Sequence, residues 1–95
     1  MIKIAICDDE PIMLNKIQNF IVDIIQKRKD EICIETFSHS KDFWEEYIQK
    51  EKEFDVILMD IDMPEISGFE IASKMKEMKR KSLLIFLTSH NELVF

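Results

Sequence analysis

Carboxylates close two of the apolar runs in this chain of 95 residues. Ile2 to Cys7 ends at Asp8, Asp9 and Glu10, and Val56 to Met59 ends at Asp60, with Asp62 two positions on. A third run, Leu83 to Leu87, ends in Thr88 and Ser89. Carboxylates held about 4 Å apart repel by about 4 kcal/mol per pair at an effective dielectric near 20. A hard divalent cation offsets that repulsion. Mg²⁺ suits a site with few protein ligands, because it keeps waters and substrate phosphate oxygens in its shell. An aspartate beside such an ion can act as a nucleophile toward phosphorus, forming an acyl phosphate whose charge the metal neutralises. Beyond that, phosphoryl transfer needs mainly in-line positioning and charge stabilisation. Asp60 is the candidate nucleophile, Asp8 and Asp9 are candidate metal ligands, and the Thr88 hydroxyl is a candidate donor to a phosphoryl oxygen.

These residues are useful only if the chain brings them together. Short apolar runs alternate with longer helical patterns, the βα rhythm of a parallel sheet covered on both faces. Ile2 to Cys7 is predicted as the first strand. Pro11 fits the first turn of a helix on which Ile17, Phe20, Ile21, Ile24 and Ile25 recur at helical spacing, and the basic stretch Lys27 to Lys29 suits its C-terminal end. Ile32 to Phe37 reads as a second strand. Ser40 is the expected N-cap of a short helix with Phe43, Trp44, Tyr47 and Ile48 on one side. Val56 to Met59 is a central strand buried on both faces. Ile61 to Ser67 is a loop containing Pro64. Gly68, free to adopt a backbone conformation that other residues avoid, is expected to precede a helix bearing Ile71, Ala72, Met75 and Met78. Leu83 to Leu87 is the fourth strand, and Asn91 is placed to cap a fourth helix that has barely begun at Phe95. The Met and aromatic residues of the helices are expected in the core.

In an open α/β sheet, ligands sit beyond the carboxyl ends of the strands, where the strand order reverses. The doubly wound, flavodoxin-like order 2-1-3-4-5 puts that crevice between strands one and three, the strands that end in Asp8-Asp9 and Asp60. Topology thus gathers the three acids, and Thr88 arrives from strand four.

Composition limits the partners. A length of 95 residues with 46% hydrophobic residues, one Gly and two Pro describes one folded domain spanning 1–95 rather than a disordered tail. The formal net charge of −6 argues against attraction to nucleic acid or to an anionic membrane by this chain alone. No leader pattern or membrane-length apolar run is evident, so a cytoplasmic location is expected. Cys7 and Cys33 lie in strand-like runs without CxxC spacing and are expected to be small buried hydrophobes.

Along its whole length the chain resembles receiver domains of two-component response regulators. The resemblance rests on three motifs: Ala5-Ile6-Cys7-Asp8-Asp9-Glu10; Met59-Asp60-Ile61-Asp62-Met63-Pro64, with Gly68 eight residues beyond Asp60; and Phe86-Leu87-Thr88-Ser89. The acidic pair alone is a weak signal, whereas the three at this spacing are specific. The stretch from Asp60 to Gly68 and the run Thr88-Ser89-His90-Asn91 look most similar to regulators whose output half is a LytTR-type DNA-binding domain.

The resemblance implies that Asp60 accepts a phosphoryl group from the phosphohistidine of a sensor histidine kinase. It implies that Asp9 and Asp60 ligate Mg²⁺, with Asp8 acting mainly through a bound water and the backbone carbonyl of Asp62 as the third protein ligand. Thr88 would couple the phosphoryl group to the surface of strands four and five, and Asp62 and His90 would tune how long the phosphate lasts. Such a domain catalyses its own phosphorylation and dephosphorylation and is not a turnover enzyme. It would control a transcriptional output domain in a longer, DNA-binding parent.

One departure stands out. At about 11 or 12 residues per helix, 5 or 6 per strand and a few per connection, five βα units need about 120 residues. Ninety-five hold about four, so the family's fifth strand, its phosphate-contacting lysine and aromatic switch residue, and the last helix are expected to be missing. Lys81 precedes strand four and should lie at the opposite edge of the sheet, where it cannot replace that lysine. Strand four then becomes an exposed edge through which the chain is expected to dimerise or aggregate.

Blander readings exist. Each aspartate alone is ordinary turn chemistry, Thr88 alone is a strand end or cap, and His90 and the Lys74 to Lys81 charge run are solvated surface. Spacing separates the cluster from its members. The alternative functions are a phosphorylation-incompetent interaction module and, more remotely, a haloacid dehalogenase-like phosphatase with Asp60-Ile61-Asp62 as its DxD motif. The latter family places that motif after its first strand, whereas here it follows the third.

Overall fold

Short runs of mostly β-branched and apolar residues make the strands, and amphipathic stretches between them make the helices. The computed structural model describes residues 1–26, 31–87 and 93–94. In chain order the elements are β1 (Ile2–Cys7), α1 (Pro11–Gln26), β2 (Ile32–Phe37) and α2 (Ser40–Trp44), which runs on into a π-helical stretch (Glu45–Gln49). There follow β3 (Val56–Asp60), α3 (Gly68–Glu77), β4 (Leu83–Leu87) and β5 (Leu93–Val94). Lys27 to Lys29 and the stretch from Thr88 to Asn91 lie outside the described residues.

The sheet order is β2-β1-β3-β4-β5, with the first four strands parallel. The parallel order 2-1-3-4 is the expected one. β5 was not expected: Leu93 and Val94, read as the start of a helix, instead pair antiparallel with Leu87 and Phe86. The edge of β4 offers unpaired backbone groups, which Leu93 and Val94 take up. The edge of β4 is therefore not bare. β5 covers it at Phe86 and Leu87 and leaves Leu83 to Ile85 without a described neighbour on that side.

Right-handed crossovers on either side of β1 send α1 to one face and α2 and α3 to the other. The α2/α3 face is a closed core: Ala5, Cys7, Ile57 and Met59 from the sheet meet Phe43, Tyr47, Ile71 and Met75 from the helices. Phe43 stacks on Tyr47 with centroids 5.1 Å apart and meets Phe37 edge-on at 5.3 Å. On the other face Ile4, Ile6, Leu58 and Leu87 are covered by α1 alone among the described helices, and only Leu14 of α1 is fully buried. An open apolar cleft of about 520 Å³ remains between α1 and β3–β4, lined by Met13, Ile17, Phe20, Ile21, Leu58 and Leu87. Two aromatic residues expected in the core are therefore exposed: Phe20 at 62% on this cleft, and Phe69 at 64% at the start of α3. Cys7 is buried as expected, but Cys33 is exposed, because β2 is the edge strand and, on the face Cys33 shares with Phe37, the core packing reaches it only at Phe37.

A second network ties the amino ends of the strands to the helices. The Arg80 guanidinium donates to the carbonyls of Tyr47 (2.8 Å) and Lys52 (2.9 Å) and lies 4.0 Å from the Tyr47 ring centroid. Tyr47 and Ser82 share a hydroxyl hydrogen bond, and Ser82 donates to the Phe54 carbonyl. Arg80 thus leaves the solvated charge run in which the sequence places it. No helix among the described residues is long and apolar enough to cross a membrane.

Candidate functional site

β1 and β3 are neighbours with Cys7 opposite Met59, so the next residues, Asp8 and Asp60, leave the sheet side by side. The apolar strands behind them are fully buried from Ala5 to Cys7 and at Ile57 and Met59, which fixes where their polar ends emerge. One carboxylate oxygen from each of Asp8, Asp9 and Asp60 lies within 4.8 Å of the other two. Asp8 is buried at 4% exposure, Asp60 is half-buried and Asp9 is exposed.

Two of these side chains are held by the backbone that follows them. Asp8 Oδ1 accepts the Glu10 amide at 2.9 Å, and Asp60 Oδ1 accepts the Asp62 amide at 3.1 Å. Each aspartate thus turns the chain away from its strand and is oriented by that turn. Burial raises the pKa of Asp8, opposed by the Glu10 amide and reinforced by the charges of Asp60, Asp9 and Glu10. Burial likewise raises Asp60, opposed by the Asp62 amide and reinforced by the charges of Asp9 and Asp62. The ion pairs among the described residues involve none of the three. Three clustered carboxylates, with the pKa values of Asp8 and Asp60 raised and no described counter-charge, form a donor set that a small divalent cation fits. Beneath them the Cys7 thiol is pushed well above its ordinary pKa by burial and by Asp8, which makes it an inert core group.

Asp8, Asp9 and Asp60 are therefore brought together as their positions at strand ends imply. Asp62 is exposed, one turn beyond Asp60, with its amide on the Asp60 carboxylate. Thr88 and His90 lie outside the described residues. Leu87, which precedes Thr88, pairs with Asp60 across the β3–β4 ladder.

Two features escaped the sequence reading. Gly68 has no positive φ and does not precede the helix. It is the first residue of α3, capped by Ser67, whose side chain accepts the Glu70 amide. Its lack of a side chain matters for space, since a Cβ there would come 2.7 Å from Phe86 Cε1 and 3.5 Å from the Asp60 carbonyl oxygen. Ser40 is not an N-cap. His39 takes that place without a side-chain hydrogen bond, and Ser40 is fully buried with its hydroxyl on the loop after β3. The Ser67-x-x-Glu70 pattern could have revealed the true start of α3. No local signal marks Ser40, whose partners are more than twenty residues away.

The response regulator receiver domain family matches residues 4–95, and the chain belongs to that family. A receiver domain is the phosphoacceptor module of a two-component system. The chain is 32% identical over 96 residues to the sensory transduction protein LytR of Staphylococcus epidermidis, covering 95% of this chain and 33% of that protein. It is 26% identical to LytT of Bacillus cereus, covering 97% of this chain and 35% of the relative, so it spans about a third of these regulators. The response regulator TrrA of Thermotoga maritima, solved in complex with Mg(2+)-BeF, aligns with a TM-score of 0.65 at 28% identity over 95% of this chain and 73% of that one.

Proposed function

We propose that Asp60 is the phosphoacceptor of this receiver domain and that Asp8, Asp9, Asp60 and the backbone carbonyl of Asp62 hold Mg²⁺. The observation that carries the reading is the convergence of three carboxylates at the carboxyl ends of β1 and β3, two of them with raised pKa values. The TrrA complex with Mg(2+)-BeF supports it by likeness. When bound, Mg²⁺ supplies positive charge against the phosphoryl oxygens and the acidic cluster.

The chain's own residues do the rest. A carboxylate oxygen of Asp60, oriented by the Asp62 amide on Oδ1, forms a bond to phosphorus while the P–N bond of a histidine kinase's phosphohistidine breaks. The imidazole leaves with the bonding pair and takes a proton from solvent. Thr88 donates its hydroxyl to a phosphoryl oxygen. Hydrolysis of the acyl phosphate resets Asp60, so the domain acts on itself rather than turning over a free substrate.

In a longer regulator of the LytR or LytT kind, this step would control a DNA-binding output in the cytoplasm. With a formal net charge of −6, the chain has little electrostatic attraction of its own for nucleic acid. The uncovered part of the β4 edge is a route to a homodimer, and a monomeric elution profile at high concentration would count against it.

Incubation with a small phosphodonor and Mg²⁺, followed by intact mass, tests the acceptor. The expected result is a gain of one phosphoryl group that Asp60→Asn abolishes. No Asp60-dependent gain would leave the chain a phosphorylation-incompetent interaction module.

A further inference from the structure

The loop from Ile61 to Ser67 carries the carbonyl assigned above to the cation, and something must hold its shape. At its crest the Ile66 amide donates to the Pro64 carbonyl at 3.0 Å across Glu65, whose φ of 73° lies in the left-handed region. A three-residue turn with that φ is the strained form of the γ-turn, adopted when surrounding contacts over-determine it. The contact here comes from α2. Ser40 Oγ donates to the Pro64 carbonyl at 2.6 Å and accepts the Ile66 amide at 3.0 Å, bridging both ends of the turn. Ser40 is fully buried, so its hydroxyl makes these contacts away from bulk water. Next to it in sequence, His39 Nδ1 lies 3.8 Å from Glu65 Oε1 on the surface of the same turn. At the other end of the loop the Ile61 amide donates to the Leu87 carbonyl at 3.2 Å, and Met63 is buried. Asp62 therefore sits between an anchor on β4 and an anchor on α2.

We propose that Ser40 is a positioning residue of the metal site: its buried hydroxyl holds the 61–67 loop in the conformation in which Asp62 offers its backbone carbonyl to Mg²⁺. The inference rests on the metal-site reading above. A backbone ligand has no rotamers of its own, so the loop must place its oxygen. The loop in turn is held by long-range hydrogen bonds rather than by regular structure. Residues that orient a metal's ligands tune its affinity without touching it.

Calorimetric titration of the metal-free chain with Mg²⁺ tests this, with Tm measured on the same samples. Ser40→Ala is expected to weaken Mg²⁺ about tenfold, at the low end for partners of ligands, while Ser40→Thr, which keeps the hydroxyl, stays nearer the parent value. Ile4→Val, in the core on the α1 face, should lower Tm and leave the Mg²⁺ affinity unchanged. If Ser40→Ala lowers Tm but holds Mg²⁺ within about twofold of the parent, the proposal is overturned and Ser40 is only a stability contact. Should Ser40→Ala fail to fold, Ser40→Cys, slightly larger and with a much weaker donor, is judged by the same criterion. A parent chain that does not bind Mg²⁺ overturns the metal-site reading, and the role of Ser40 with it.

Discussion

Gly68 and Phe86 touch where any larger residue at position 68 would collide: a Cβ there would lie 2.7 Å from Phe86 Cε1. This contact seats the start of α3 against β4 beside the Asp60 carbonyl. Phe86 is also packed against Phe69, at a centroid distance of 5.5 Å, so its ring has little room to retreat. Gly68→Ala should destabilise the chain by about 1–3 kcal/mol through overpacking, despite the better helix propensity of alanine. Urea denaturation checks this. Pairing Gly68→Ala with Phe86→Leu should recover part of the loss, and strictly additive effects would contradict the contact.

Burial, reinforced by neighbouring carboxylates, raises the pKa values of Asp8 and Asp60, and a cation held as proposed would offset both effects. Asp8 and Asp60 have folded pKa values raised above the unfolded ones, so each favours the folded state most at pH below its unfolded pKa. That contribution is lost as pH rises through the folded pKa. In EDTA, these two groups should therefore lower Tm as pH is raised through and just above the ordinary carboxylate range. Mg²⁺ at neutral pH should restore Tm, and a Tm in EDTA that rose with pH because of these groups would contradict the assignment.

Neutralising one member makes the same point at constant pH. Asp8→Asn keeps an oxygen for the Glu10 amide and removes a buried charge. In the metal-free chain it should raise stability by about 1 kcal/mol, or roughly 4–8 °C in Tm for a domain of this size. It should also abolish most of the stabilisation by Mg²⁺. A scanning calorimeter run with and without Mg²⁺ reads both effects.

Arg80 holds the end of the sheet opposite the acidic site. Its two hydrogen bonds to carbonyls and its place over the Tyr47 ring need a planar fork, which lysine lacks. Arg80→Lys should therefore lose about 1–3 kcal/mol, nearly as much as Arg80→Met, because part-buried carbonyls are left without donors. If lysine restored full stability in chemical denaturation, a simple charge effect would explain Arg80 better.

Lys79 terminates α3 with φ 56°, while the Arg80 amide donates to Met75 and the Lys79 amide to Lys76. This double closure of a helix end favours glycine, which meets no Cβ penalty in the left-handed region. Lys79→Gly should stabilise the chain by about 0.5–1 kcal/mol, or change it little if the greater freedom of glycine when unfolded cancels the gain. A clear loss in thermal denaturation would show that Lys79 contributes something other than backbone geometry.

The sequence by itself determined the four parallel strands, their order and the meeting of Asp8, Asp9 and Asp60. Short, mostly apolar runs alternating with longer helical patterns read as the strands of a parallel sheet, and right-handed crossovers leave few ways to order them. An acid at the end of such a strand has no exit but the carboxyl edge. The tertiary structure alone decided what depends on partners far along the chain. Ser40 looks like a helix cap until the loop after β3 arrives above it, and Arg80 looks like surface charge until Tyr47 and Lys52 present their carbonyls. Phe20 and Phe69 follow a core pattern but stay exposed, because periodicity marks a helix face without saying what covers it. Leu93 and Val94 became strand rather than helix because the edge of β4 offered them backbone hydrogen bonds, a partner that no local pattern announces. Local pattern was enough for the acids, since topology requires only that their strands be neighbours. The contacts that hold the surrounding loop and helices were invisible to it, because each is a long-range hydrogen bond or packing contact with no period to reveal it.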